Sequence, residues 1–194
     1  MQQRVLAGIV ALALAAIPPS ATRLSAQAPL RAVILVRHGE KAAAPKENPP
    51  LSPAGEARAQ ALLETLRDAG LTTIITTDQQ RTRMTAAPLL AALHLKEQIV
   101  PRTEKPEVDA RAIGALVRKL GGTVLVVSHQ LTIPRIIDAL GGPAVPTVCD
   151  SEFSHLYILI PATASRELRL IRSHFGAADP AHTVDCHISP TSPP

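Results

Sequence analysis

Aromatic side chains are nearly absent from this chain of 194 residues. It has no Trp, one Tyr and two Phe, so aromatic residues make up 2% of the chain while hydrophobic residues make up 46%. A domain of this length can bury a sizeable core, and that core must consist of Leu, Ile, Val and Ala. Proteins that bind single-stranded nucleic acids stack bases on aromatic rings, so the composition disfavours that class.

The chain also lacks a strong charge of either sign. It carries 20 Lys and Arg against 16 Asp and Glu, a formal net charge of +4. Arg4 and Arg23 lie in an N-terminal segment that we expect to be removed, which leaves 18 basic and 16 acidic residues. This small excess does not predict a nucleic-acid partner. A phosphate pocket, in contrast, needs only local positive charge.

The N-terminal apolar run is too short to span a bilayer comfortably. It extends over thirteen residues from Val5 to Ile17, whereas a membrane-spanning helix needs about 20. Arg4 precedes the run, and a proline pair and a small-residue site ending at Ala28 follow it. This pattern is typical of a secretory signal. We therefore expect residues 1–28 to be a signal peptide, the mature protein to be periplasmic or secreted, and no stable membrane insertion to remain after cleavage.

Cysteine is limited to Cys149 and Cys186, and the sequence contains neither a C-x-x-C nor an H-E-x-x-H motif. Since both motifs are common in metal sites, we expect no metal and no cofactor. An oxidising compartment permits a disulfide between the two cysteines. The sequence does not show whether they lie within bonding distance, so the bridge stays open.

One stretch combines a strand pattern with reactive side chains. Val33 to Val36 is an apolar, mostly β-branched run that leads directly into Arg37-His38-Gly39, which predicts a buried parallel strand with charged side chains at its carboxyl end. Open α/β sheets bind ligands at that end. An arginine offers donors suited to phosphate oxygens, and a histidine offers a nucleophilic nitrogen near neutral pH. The combination favours phosphoryl chemistry.

The rest of the chain alternates between strand and helix patterns. We predict further strands at 72–76, 98–100, 123–127, 157–160 and 168–171, the last two at the periphery of the sheet. Helices are expected after Ser52, as N-cap, up to Gly70, then from Arg81 to about Leu93, and over 108–120 and 134–140. This order predicts an α/β three-layer sandwich with a mostly parallel central sheet and helices on both faces. The domain covers residues 29–175, and residues 176–194 form an irregular, proline-containing tail.

Four ordered motifs resemble those of the histidine phosphatase superfamily, also called phosphoglycerate-mutase-like. They are Arg-His-Gly at 37–39, Leu-Ser-x-x-Gly at 51–55, Thr-x-x-x-Arg-Thr-x-x-Thr-Ala at 77–86, and Ser-His at 128–129. The resemblance covers roughly residues 32–171. It implies that His38 becomes transiently phosphorylated and that Arg37, Arg81 and His129 line the phosphate pocket.

Two departures from the family pattern concern the reaction. Gln130 stands where many members have Gly, and no counterpart is evident for the glutamate of mutase-type members. The proton donor to the leaving group is therefore open among five carboxylic acids near the expected rim: Glu40, Glu104, Glu107, Asp150 and Glu152. We prefer Glu152, because an antiparallel strand through Tyr157 would begin at the catalytic edge.

These residues predict a metal-independent phosphomonoester hydrolase that acts through a phosphohistidine on His38. The partner is a small-molecule phosphomonoester, and the sequence does not identify it. Two alternatives remain open, namely a phosphotransferase or mutase of the same family and a non-catalytic phosphate-binding protein on the same fold.

Overall fold

The computed structural model describes residues 28–180. Residues 1–27 of the predicted signal peptide lie outside that range, and so do residues 181–194 with Cys186. The cleavage site therefore stays a prediction, and the bridge between the two cysteines stays open. Six strands occur within the described range, in chain order β1 Leu30–Arg37, β2 Thr73–Thr77, β3 Glu97–Val100, β4 Gly122–Ser128, β5 His155–Ile160 and β6 Arg169–His174. Four helices accompany them, α1 Pro53–Leu66, α2 Gln80–Leu93, α3 Pro106–Leu120 and α4 Ile133–Ala139. None of these helices is long and apolar enough to cross a membrane.

All six strands form one sheet in the order β3-β2-β4-β1-β5-β6. The neighbours among β1 to β4 pair in parallel, whereas β5 pairs antiparallel to β1 and β6 antiparallel to β5. The two late strands thus lie at one edge, as predicted. Because β5 runs against β1, its first residues lie at the edge where the parallel strands end.

Alternating side chains along the strands divide the core into two halves. On one face of the sheet, Ile34 and Val36 pack with the buried sides of α1 and α2. On the other face, Val33 and Leu35 pack with α3 and α4. Strand β4 is buried along its whole length, as expected for a central strand covered on both faces. The architecture is therefore the predicted three-layer α/β sandwich.

Several element boundaries differ from the sequence prediction, among them the ends of α1 and β6. Helix α1 begins at its predicted cap, where Ser52 Oγ accepts the Gly55 N–H at 3.2 Å, but it ends at Leu66 instead of continuing to Gly70. Strand β6 extends to His174 because it pairs with β5 over the full length from His155 to Ile160. Local sequence patterns underestimate a strand whose length is set by its partner.

Candidate active site

The register of β1 and β4 brings the two predicted histidines together. Arg37 is the partner of Ser128 at the end of the parallel ladder, and the His38 N–H donates to the Ser128 carbonyl at 3.0 Å. The next residue on each strand is a histidine, and the ring centroids of His38 and His129 are 5.3 Å apart. The strand-end cluster inferred from sequence is therefore present.

Hydrogen bonds define the protonation state of His38. Its Nδ1 lies 2.8 Å from the Gly39 carbonyl oxygen, so Nδ1 carries the proton. Its Nε2 accepts from Arg81 Nε at 3.2 Å and presents a lone pair. Burial lowers the pKa of His38 well below 6.5, although the hydrogen bond to Gly39 acts to raise it. The nearby charges of His129, Arg37 and Arg81 lower this pKa further. His38 is therefore a neutral imidazole at pH 7, as a nucleophile must be.

Two glycines allow the chain after β1 to turn onto helix α1. A Cβ on Gly39 would lie 2.8 Å from the Gly55 carbonyl oxygen, and a Cβ on Gly55 would overlap the Glu40 carbonyl oxygen. The Gly39 N–H donates to Thr85 Oγ1 at 2.9 Å, which connects the same turn to α2. The glycines of the Arg-His-Gly and Leu-Ser-x-x-Gly motifs are thus explained by one close backbone contact.

The segment that precedes β5 holds the Arg37 side chain in place. Its NH1 group donates to the carbonyl oxygens of Cys149, Asp150 and Glu152 at 2.9, 3.0 and 2.8 Å. The guanidinium lies 4.0 Å from the ring centroid of Phe153. Burial lowers the pKa of Arg37 to about 10, so the group remains charged. Its buried Nε has no hydrogen-bond partner among the described residues.

Arg81 and His129 complete the charged lining. Arg81 lies in the first turn of α2, as predicted, and its NH1 donates to Gln79 Oε1 at 3.1 Å. His129 Nε2 lies 3.1 Å from Thr77 Oγ1. Burial, followed by the charges of Arg81, Arg102 and Arg37, lowers the pKa of His129 to about 3. A bound anion would oppose those cations and raise this pKa.

These side chains open into one small pocket of about 180 Å³, below the roughly 300–1,000 Å³ of pockets for drug-sized ligands. The residues around it come mainly from the loops at the carboxyl ends of the parallel strands. They are Arg37, His38, Lys41, Arg81, Arg102, Thr103, Pro106, Asp109, His129, Gln130, Leu131, Thr132 and Asp150. The pocket admits a phosphate group and little more, so the rest of a substrate must lie at its mouth.

The structure does not bring Glu152 into this pocket. Strand β5 is antiparallel, as the preference for Glu152 required, but the carboxylate turns away from His38. Its Oε2 accepts the Cys149 N–H at 2.6 Å, lies 3.5 Å from His155 Nε2 and lines a separate cavity. Glu152 contributes its backbone carbonyl to Arg37 instead. The reason is the tight turn from 149 to 152, which uses the side chain as an internal acceptor.

The other four acids differ in position. Glu40 accepts three hydrogen bonds of 2.7 to 3.0 Å from the buried Arg58, so it is part of an internal ion pair. Glu104 and Glu107 are exposed and do not line the pocket. Asp150 does line it, with its side chain 93% exposed and its Oδ1 3.9 Å from Arg37 NH2.

Sequence reasoning missed an acid that the pocket contains. Asp109 is 2% exposed, lines the pocket, and accepts the Thr103 N–H and Oγ1–H at 2.9 and 2.7 Å. Its only sequence signal was an acid in the first turn of a helix, which is a common feature of helix N-termini. Arg102 and Lys41 were also missed, because neither follows a clear buried strand directly.

No cluster of three or more His, Cys, Asp or Glu side chains between residues 28 and 180 is arranged to hold a metal ion. The pocket is lined instead by arginines, Lys41 and two neutral histidines, with Asp109 and Asp150 as the two acids. Such a donor set suits the oxygens of an anion.

The sequence matches the histidine phosphatase superfamily over part of its length. Residues 33–109 match the family model for branch 1 of that superfamily, a stretch that contains Arg37, His38, Arg81 and Asp109. His129 lies beyond the matched residues, and the structure brings it to the same site. No curated protein matches the chain.

Solved structures share this fold. A protein described as the phosphohistidine phosphatase SixA of Agrobacterium tumefaciens is 24% identical, with a TM-score of 0.53 over 76% of this chain and 99% of that one. A protein described as an alpha-ribazole-5'-P phosphatase of Escherichia coli is 17% identical, with a TM-score of 0.58 over 79% and 100%. A mycobacterial glucosyl-3-phosphoglycerate phosphatase is 15% identical, with a TM-score of 0.55 over 76% and 99%. At these identities the likeness concerns the fold.

The depressed pKa of His129 predicts a loss of stability in acid. Its pKa is about 3 in the folded protein, against an ordinary value of 6.5, so below about pH 6.5 the unfolded chain binds the additional proton. The free energy of unfolding should then fall as the pH decreases from 6.5, by up to about 1.4 kcal/mol per pH unit for this group. Urea unfolding of the wild type and of His129→Asn at several pH values between 7 and 4 measures this. The variant should have the shallower slope, and equal slopes would contradict the prediction.

Proposed function

We propose that this protein is a phosphatase that hydrolyses a small phosphomonoester through a phosphohistidine on His38, without a metal. The observation that carries the proposal is the pair of hydrogen bonds on His38. Its Nδ1–H is held by the Gly39 carbonyl, and its Nε2 lone pair accepts from Arg81 Nε in a small pocket that Arg37 also lines. The match of residues 33–109 to the superfamily's model supports the same chemistry.

In the first step the lone pair of His38 Nε2 attacks the phosphorus atom, and the bond from phosphorus to the ester oxygen breaks. The ring then carries a positive charge, because Nδ1 keeps its proton and its bond to Gly39. Arg81 Nε donates to Nε2 in the ligand-free site, so we expect this donor to move to a phosphate oxygen when substrate binds. Arg37 offsets the remaining negative charge and His129 can donate a hydrogen bond, and stabilisation of this charge is the main requirement of phosphoryl transfer.

In the second step water attacks the phosphohistidine, and the bond from nitrogen to phosphorus breaks. The electron pair returns to Nε2, inorganic phosphate leaves, and His38 is neutral again. An acid that has protonated the leaving alkoxide in the first step is now a carboxylate, and it accepts the proton from the attacking water.

The substrate itself is not given by the fold. The three related structures carry names for three different phosphorylated substrates, and they share with this chain only the architecture. Transfer to a second hydroxyl group would make the protein a phosphotransferase or mutase, and we favour hydrolysis because the small pocket leaves its mouth open to water.

The covalent intermediate is the first prediction from this proposal. Wild-type protein mixed with p-nitrophenyl phosphate and quenched rapidly in alkali should gain one phosphoryl group by intact-protein mass spectrometry, because phosphohistidine survives base and not acid. His38→Ala should gain none and should lose turnover. His129→Gln is the matched control, since it changes the other histidine of the pocket and should be labelled, only more slowly.

Turnover by His38→Ala would refute the mechanism. Loss of wild-type activity in EDTA, with recovery on addition of a divalent ion, would refute the metal independence. Labelling without release of phosphate would leave a phosphate-accepting protein and no phosphatase.

We further propose Asp109 as the proton donor to the leaving group. It lines the pocket, it is almost fully buried, and Thr103 holds one of its oxygens in place. Asp109→Asn should slow hydrolysis of glycerol 3-phosphate by roughly a hundred- to ten-thousandfold. It should largely spare p-nitrophenyl phosphate, whose leaving group needs little protonation. The amide oxygen of Asn still accepts from Thr103, so the fold is retained.

Asp150→Asn and Glu152→Gln are the comparisons for this test. Asp150 is the exposed alternative in the same pocket, and Glu152 points into another cavity. A selective loss on the alkyl phosphate in Asp150→Asn, or equal slowing of both substrates in Asp109→Asn, would contradict the assignment.

We also propose that the protein acts outside the cytoplasm, on the sequence pattern of residues 1–28. Expression of the full chain in a bacterium with an intact secretion pathway should yield a mature protein whose first residue is Pro29. N-terminal sequencing of the periplasmic and culture fractions measures this. Recovery of the intact chain in the cytoplasm alone would count against export.

A further inference from the structure

Arg102 lies in the loop after β3 and lines the same pocket as His38. Its backbone N–H donates to Asp78 Oδ1 at 3.2 Å, which connects this loop to the one that follows β2. The residue is exposed at the mouth of the pocket. Its side chain makes no hydrogen bond or ion pair with any residue between 28 and 180. Lys41, which follows β1, also lines the pocket and is exposed. Its side chain likewise has no hydrogen-bond or ion-pair partner among residues 28–180.

The charge of Arg102 reaches the buried groups of the site. Burial is the main cause of the lowered pKa of Arg81, and the charge of Arg102 is the second cause. For the lowered pKa of His129, Arg102 is the third cause, behind burial and Arg81. Repulsion between neighbouring positive charges destabilises the folded protein, and a nearby carboxylate would offset this repulsion. The two acids of the pocket contact other groups, since Asp109 accepts from Thr103 and Asp150 lies near Arg37.

The reaction centre already has its positive charge without Arg102. A phosphate on His38 is faced by Arg37 and Arg81, with His129 as a further donor, and these surround the small end of the pocket. Arg102 and Lys41 therefore add two cations at the mouth, where the part of the substrate beyond its phosphate must lie.

We propose that the substrate is a phosphomonoester with a second anionic group, a carboxylate or a second phosphate a few bonds away, and that Arg102 binds this group with support from Lys41. The inference rests on the proposed function, because it assumes that the first phosphate binds at His38. Arg102 suits this role because a guanidinium offers a planar pair of donors to an oxyanion.

Two matched substrate pairs test the proposal. Glycerol 3-phosphate and 3-phosphoglycerate differ only in whether a hydroxymethyl or a carboxylate stands at the far end, and glycerol 2-phosphate and 2-phosphoglycerate repeat this at a shorter separation. We expect the wild type to prefer the carboxylate member of at least one pair by about tenfold in kcat/KM, the size of one charge-assisted hydrogen bond. Added salt should reduce this preference, since the mouth is open to solvent.

Arg102→Gln should decrease that preference about tenfold, mainly through KM, and Arg111→Gln is the control. Arg111 is an exposed arginine on α3 that does not line the pocket. A wild type without preference in either pair would overturn the proposal, and so would an Arg102→Gln variant that slows both members of a pair equally.

Failure of the proposed function gives a different result. The wild type would then release no phosphate from p-nitrophenyl phosphate or from any of the four compounds. Calorimetry with the same pairs would still test the inference. Tighter binding of the carboxylate member that is lost in Arg102→Gln supports a site for two anionic groups, and equal binding of both members overturns it.

Discussion

The hydrogen bond from His38 Nδ1 to the Gly39 carbonyl, at 2.8 Å, is the interaction on which the rest of the site depends. It leaves Nε2 as the unprotonated nitrogen, and it exists because the backbone turns sharply after β1. That turn needs the contact between Gly39 and Gly55 and the bond from the Gly39 N–H to Thr85. Helices α1 and α2 therefore influence the protonation of His38, because they fix the peptide group of Gly39.

A second group of contacts fixes Arg37. The segment from 149 to 153 supplies three carbonyl oxygens and the Phe153 ring, and Asp179 in turn accepts the N–H groups of Phe153 and Ser154 at 2.8 and 3.1 Å. Burial alone would raise the pKa of the Asp179 carboxyl, but these N–H donors, the Ser154 hydroxyl and the charge of Arg58 outweigh it and hold the pKa below its ordinary value. The buried Arg58 lies 4.0 Å from Asp179 and pairs with Glu40. Glu40, the residue after Gly39, is therefore connected through Arg58 and Asp179 to the segment that holds Arg37.

The electrostatics of the pocket follow from burying cations with little acid beside them. Burial and mutual repulsion lower the pKa values of Arg37, His38, Arg81 and His129 together. The folded protein therefore holds a region of unfavourable charge that a bound phosphate would relieve. Burial, with a smaller contribution from the same repulsion, keeps His38 neutral, so one arrangement suits both anion binding and a nucleophilic imidazole. In a pocket of this size, selectivity between substrates must come from the mouth, where Arg102 and Lys41 lie.

The sequence by itself determined the fold class and the four residues that meet at the sheet edge. Apolar runs ending in Arg37-His38 and in Ser128-His129 identify buried parallel strands, and the carboxyl ends of such strands lie at one edge whatever the details of packing. Only the tertiary structure decided the position of the acids, because a sequence pattern does not show which way a carboxylate side chain points. Glu152 bonds inward to the Cys149 N–H, whereas Asp109 lines the pocket. The support of Arg37 also depends on tertiary structure, since its acceptors lie 112 to 115 residues away along the chain, beyond the reach of any local pattern.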